Sequence, residues 1–117
     1  MYEYDCVIVN EHDGDTLRAD VDLGFSVWLH EQDFRLNRIN APEITGVQKP
    51  LGQASLAALA KMLSVGAQVT VKTTKDKLDK YGRILGDFYL ADGTCVNDQL
   101  VNLGFAKYYD GTGPKPV

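Results

Sequence analysis

Glu43, Arg35 and Arg83 are the side chains of this sequence best suited to chemistry on a phosphodiester. Guanidinium groups donate paired N–H bonds to phosphate oxygens in a fixed planar fork. A carboxylate can take the proton of an attacking water. The three residues lie in two short segments, Phe34-Arg35-Leu36 with Asn40-Ala41-Pro42-Glu43, and Asp79-Lys80-Tyr81-Gly82-Arg83. Upstream, Asp13-Gly14-Asp15-Thr16 offers two carboxylates to a hard divalent cation, which accepts flexible oxygen cages. Asn40 adds an amide oxygen and Ala41 a backbone oxygen. Each piece alone has a plainer reading. Asp-Gly is a common hairpin turn, an exposed Glu is ordinary, and an Arg in a strand usually buries its stem and wets its head. Their joint occurrence within 117 residues is what carries information.

The elements that must position these groups are short. Tyr4 to Val9 reads as a β-strand, with Asp13-Gly14-Asp15-Thr16 as a hairpin turn in which Gly14 takes positive φ. Leu17, Ala19, Val21 and Leu23 alternate with polar residues, giving a half-buried strand. After Gly24 the alternation of Phe25, Val27 and Leu29 predicts another strand. Phe34 to Ile39 is extended, with a bulge or bend near Asn37. Pro50 opens a helix with Leu51, Ser55, Leu59 and Met62 on one stripe, stopped at Gly66. Val69 to Thr73 is a strand, Lys75 to Lys80 a charged loop, and Ile84 to Leu90 a further strand. Asn97 is expected to cap a short helix ending at Gly104. The pattern predicts an α+β chain, mainly β with two or three helices, built as a five-stranded Greek-key barrel of OB type. That fold places ligands on one barrel face and its loops. An open sheet with one packed helix is the alternative architecture.

Composition bounds the rest. The length suits one domain, expected over residues 1–110, with the Gly/Pro-rich residues 111–117 as a flexible tail. A net charge of −4 and a pI of about 5.0 exclude a broad basic surface, though not a local basic pocket. No apolar run reaches a membrane span, and no secretory signal is visible, so a cytoplasmic monomer is expected. Cys6 and Cys95 are too few and too far apart for a zinc site, and read as buried thiols, with one bridge as the alternative. His12 and His30 read as surface residues.

These motifs, in this order and spacing from Val7 to Tyr109, make the chain resemble the staphylococcal nuclease family. Gly52-Gln53-Ala54, and Val96-Asn97 through Leu100-Val101, Gly104 and Ala106-Lys107, extend the resemblance. It implies an OB-type barrel and a Ca²⁺-dependent nuclease acting on DNA or RNA with relaxed sequence preference, leaving a 3′-phosphate. By position it implies Asp15, Asn40 and the Ala41 carbonyl as metal ligands, with Asp13 supporting them. It implies Glu43 as general base, Arg35 and Arg83 as phosphate clamps, and Lys80, Tyr81 and Tyr109 as substrate contacts. Asn40 stands where the family has a second Asp, so weaker Ca²⁺ binding is expected from the lost charge. Tyr108-Tyr109-Asp110 departs from the family's tyrosine spacing. The other reading is a catalytically weak barrel of this kind that binds nucleic acid or protein.

Overall fold

A computed structural model of the chain describes residues 1–116. In chain order the strands are β1 (Tyr2–Asp13), β2 (Thr16–Asp22), β3 (Trp28–Leu36) and β4 (Ile39–Asn40). A single 3-10 turn, Gly46–Gln48, leads into α1 (Lys49–Met62). Then come β5 (Gln68–Leu78), β6 (Ile84–Tyr89), α2 (Val96–Asn102) and β7 (Lys107–Tyr108). Five strands close a barrel in the order β1-β2-β3-β6-β5, as the alternation pattern predicts. The β3–β6 pairing is parallel and the other barrel pairings are antiparallel. β4 and β7 form a separate two-stranded sheet.

β1 is longer than the apolar run Tyr4–Val9 predicts because it serves two neighbours. Its first half pairs with β5 through Val7, and its second half pairs with β2 from Cys6 onward. A register shift between Ile8 and Asn10 bends it from one partner to the other. Such bends let a short sheet close on itself. The core fills with Ile8, Phe34, Leu36, Val71 and Phe88 from the strands. Phe34 and Phe88 meet edge to face at 5.3 Å between ring centroids. Leu59 and Leu63 from the helical segment and Val96 and Leu100 from α2 complete it.

Several expectations need correction. Phe25, Val27 and Leu29 are exposed, Phe25 entirely, and β3 begins only at Trp28. Phe25 and Ser26 take positive φ, so the chain turns there instead of extending. β5 runs on to Leu78, through what reads as a loop; left-handed Lys75 and Asp76 kink it within a register shift. Along α1, Ser55 and Leu59 are buried as expected and Met62 partly so, but Leu51 is exposed and Gly52 is buried in its place. Gly14 keeps a negative-side φ, so its value is space: an added Cβ would meet the Cβ atoms of Ser55 at 2.7 Å and Ala41 at 2.8 Å. The bend near Asn37 is present, with Arg38 at φ 70 between β3 and β4. Cys6 and Cys95 are free thiols; Cys6 is buried, which pushes it up to about 12, and Cys95 is half-buried. Val117, the last residue of the expected tail, lies outside the described residues. Among the described residues no helix is long and apolar enough to cross a membrane.

Asn97 does not cap α2; Cys95 holds that position, with no side-chain cap bond. Asn97 instead lies fully buried within the first turn of the helix, as its second residue. Its carbonyl oxygen accepts the Phe88 N–H at 3.0 Å, and its amide donates to the Asn37 carbonyl at 2.9 Å and the Gly86 carbonyl at 3.0 Å. One side chain thus joins α2, β6 and the β3–β4 bend. Truncation would leave buried backbone groups unsatisfied, each at about 1–3 kcal/mol. Asn97→Ala is expected to lose about 2–4 kcal/mol in urea unfolding; a loss below about 0.5 kcal/mol would refute the bracing role.

Candidate active site

Parallel pairing of β3 with β6 is what brings the two arginines together. Phe34 pairs with Ile84 and Arg35 with Leu85, so Arg83, just before β6, arrives beside Arg35. The β1–β2 turn reaches the same end of the barrel through Leu36, whose N–H donates to the Asp15 carbonyl at 2.8 Å. The result is a cavity of about 270 Å³ lined by Asp13, Asp15, Arg35, Asn40, Ala41, Glu43 and Arg83, with Tyr81 and Lys115 at its wall. Eight residues proposed from sequence therefore share one cavity: Asp13, Asp15, Arg35, Asn40, Ala41, Glu43, Tyr81 and Arg83. Lys80 and Tyr109 line an adjoining cleft of about 280 Å³ that shares Arg35, Tyr81, Arg83 and Lys115 with it.

The two arginines are held differently. The Arg35 side chain is 13% exposed. Its Nη1 donates to the carbonyls of Leu36 at 3.1 Å and Ile39 at 2.9 Å, which pins the bend. Its Nη2 makes longer bonds, to Asn40 Oδ1 at 3.2 Å and Asp15 Oδ2 at 3.5 Å. Arg83 is anchored only through Nε, which donates to Asp79 Oδ2 at 2.8 Å. Its guanidinium lies 5.3 Å from the Tyr81 ring centroid, within cation–π range. Both Nη groups of Arg83 are without hydrogen bonds among the described residues, so the fork is presented to the cavity. Asp79 also accepts the N–H groups of Tyr81 and Arg83, each at 2.9 Å, folding the turn that carries both. Burial raises the Asp79 carboxyl, but these bonds outweigh it and hold it below the usual range.

Glu43 stands at the rim with its side chain 64% exposed, and its Oε1 lies 3.9 Å from Lys115 Nζ. Its backbone is placed by α1. A Cβ on Gly52 would fall 2.0 Å from the Glu43 carbonyl oxygen, so only glycine lets the loop after β4 lie on the helix. The Glu43 N–H donates to Gln48 Oε1 at 3.3 Å.

The acidic side of the cavity is under electrostatic tension. Burial, and then the neighbouring Asp13, push the Asp15 carboxyl up to about 7, against the opposing Ala41 N–H and Arg35. Ala41 N donates to Asp15 Oδ2 at 2.9 Å. Asp13 is also raised by burial, yet bonds from Asp15 and Thr16 hold it down; Thr16 Oγ1 donates to it at 2.7 Å. A buried and a half-buried carboxyl crowding each other in this way fit a hard cation, whose charge would relieve both. Asp13, Asp15, Asn40 and Ala41, the residues expected from sequence to offer oxygen donors, all line this cavity. Among the described residues no group of three His, Cys, Asp or Glu that could hold a metal ion gathers here or elsewhere.

Comparison with known proteins adds the lineage. A family model described as Staphylococcal nuclease homologue matches residues 33–116. The chain belongs to the staphylococcal nuclease homologue family. Endonuclease YhcR of Bacillus subtilis (strain 168) is 30% identical over 115 residues, covering 92% of this chain and 9% of that protein. An uncharacterized endonuclease of Escherichia coli is 36% identical over 110 residues, covering 94% of this chain and 64% of that protein. The chain thus spans less than two thirds of either relative. Asp13 and Asp15 fall before the segment that the staphylococcal nuclease model matches, so their place in the cavity rests on the hairpin geometry.

Sequence reasoning missed Lys115, whose Gly/Pro-rich surroundings give no signal, and Asp79 as the anchor of Arg83. The i, i+4 spacing of Asp79 and Arg83 was the available clue to the latter. The Asp15 carboxyl is raised in the folded state, so its protonated form stabilises the fold below the unfolded value near 3.8 and that stability is lost as pH rises through about 7. In chelator, Asp15→Asn is therefore expected to gain stability relative to the parent as pH goes from 4 to 8. Urea midpoints at both ends of that range check it; a difference independent of pH would mean that Asp15 is not strained.

Proposed function

We propose that this chain is a phosphodiesterase domain that hydrolyses DNA or RNA with little sequence preference, assisted by Ca²⁺. The observation that carries this reading is the convergence of Glu43 and the unencumbered Arg83 fork on one cavity beside the Asp13 and Asp15 carboxyls. Family membership and the endonuclease names of its relatives support it.

Each residue has a distinct task in this reading. The Arg83 fork donates two N–H bonds to the non-bridging oxygens of the scissile phosphate. Arg35 lends the longer Nη2 bonds, which are weak enough to shift onto a phosphate oxygen while Nη1 keeps the bend in place. Glu43 accepts a proton from water as its oxygen attacks phosphorus in line with the 5′-oxygen. The new P–O bond forms, the bond to the 5′-oxygen breaks with its electron pair, and that oxygen takes a proton from solvent. A 3′-phosphate and a 5′-hydroxyl remain. Asp15, Asp13, Asn40 and the Ala41 carbonyl would hold the cation, which supplies positive charge toward the phosphate when bound. Lys80, Tyr81 and Tyr109 would line the path of the flanking nucleotide.

A second reading, a barrel that binds nucleic acid without cleaving it, is favoured by one observation, the absence of a third carboxylate at the cation cluster. One experiment separates them. Single-stranded and duplex DNA are incubated with the protein in Ca²⁺ or in chelator. Cleavage that needs Ca²⁺ and falls about 10²–10³-fold in Arg83→Ala and in Glu43→Gln is expected. Cleavage that survives chelator and both substitutions would refute the assignment, and binding without cleavage would favour the second reading. Asn40→Asp is expected to lower the Ca²⁺ concentration for half-maximal activity, since it restores an anionic ligand. An unchanged calcium titration would remove Asn40 from the coordination shell.

A further inference from the structure

The last described stretch, residues 109–116, is a tied strap that reaches back over the cavity. The Tyr109 N–H donates to the Arg38 carbonyl at 2.7 Å, and its hydroxyl donates to the Gly113 carbonyl at 2.8 Å. Asp110 Oδ1 accepts the Thr112 N–H at 2.9 Å and the Thr112 hydroxyl at 2.7 Å. These bonds turn the chain so that Lys115 stands at the junction of the cavity and the adjoining cleft, lining both. The two spaces are one continuous groove at that point, because Arg35, Tyr81 and Arg83 also face both. Lys115 is 53% exposed, and its contact with Glu43 is long, at 3.9 Å. An exposed ion pair of that kind contributes little and exchanges readily for a stronger anion. In the adjoining cleft, Lys80 lies over the Tyr81 ring at 5.2 Å.

We infer that Lys115 is a substrate-binding residue, contributed by the C-terminal strap, that takes the backbone phosphate next to the scissile one. The inference rests on the nuclease reading above and assigns a residue that reading leaves out. When a polymer enters, the scissile phosphate sits between Glu43 and Arg83. The next phosphate along the groove then meets Lys115, which exchanges its contact with Glu43 for that phosphate. A chain with several phosphates gains from Lys115, whereas a substrate with a single phosphodiester has nothing to place there. The strap therefore favours polymers over dinucleotides.

The test uses the full chain and Lys115→Met, which keeps the apolar stem and removes the charge. Steady-state cleavage is measured on a short fluorescein-labelled single-stranded DNA and on a dinucleotide with one phosphodiester. Affinity for the same DNA is measured by anisotropy over a salt series with Ca²⁺ present, in a Glu43→Gln background. The expected result is a rise of about tenfold in KM for the DNA with kcat unchanged, and unaltered dinucleotide turnover. The slope of log affinity against log salt should become shallower by about 0.7, and Lys115→Arg should restore both. Equal KM and equal slope in Lys115→Met and the parent would overturn the inference. So would a loss on the dinucleotide as large as that on the DNA, since Lys115 would then act at the scissile phosphate. A parent that neither cleaves nor binds nucleic acid would instead overturn the nuclease reading, and this inference with it.

Discussion

The Arg35 guanidinium is the interaction on which the site depends. It is nearly out of water, and a charge in that position is tolerable only with acceptors all round it. Two backbone carbonyls, an amide oxygen and a carboxylate supply them. In satisfying its own donors, Arg35 fixes the bend after β3, the direction in which Asn40 leaves it, and the approach of the β1–β2 hairpin. The guanidinium is thus the post around which the pocket is assembled. Arg83 has the opposite character, held at one nitrogen and otherwise available.

The barrel exists to make such meetings possible between distant segments. Asn97 and Arg38 brace the same corner from the far side. Arg38 bonds Asp87 at 2.7 Å and Asp98 at 2.9 Å, so the β3–β4 bend is stitched to both β6 and α2. Hydrogen bonds from Arg38 come first in holding the Asp98 carboxyl below its usual range, and Tyr108 adds another. These polar ties surround the bend, where regular pairing stops and backbone groups would otherwise lack partners.

Much of this was legible in the sequence. Alternating apolar residues in β2 and β3 and the Pro-opened helix indicated a small barrel. The Arg35, Glu43 and Arg83 segments carried enough chemistry to suggest a shared pocket. What failed was local. Phe25, Val27 and Leu29 have the rhythm of a buried strand, yet Phe25 and Val27 lie in an exposed hairpin tip and Leu29 is exposed at the start of β3. Alternation reports two faces but not which one meets the core. Asn97 looked like a cap because Asn favours that place; tertiary demand from three backbone groups of β6 and the bend overrode the preference. Gly14 does lie in the β1–β2 turn, but without positive φ; a glycine is needed there because its neighbours Ala41 and Ser55 leave no room for a side chain. Lys115 could not be found at all, since its role depends on where a strap of nonrepetitive residues happens to fold back.

The contact between Gly52 and the Glu43 carbonyl has a mechanical consequence. With no side chain between them, the helix and the loop after β4 move as one body, and there is no soft layer to absorb a shift of the helix axis. A bulkier residue anywhere along the inner stripe of α1 would tilt that axis and carry the rim carboxylate with it. Repacking far inside the domain would then register at the groove as a change in reach, without altering any group that meets the solvent there.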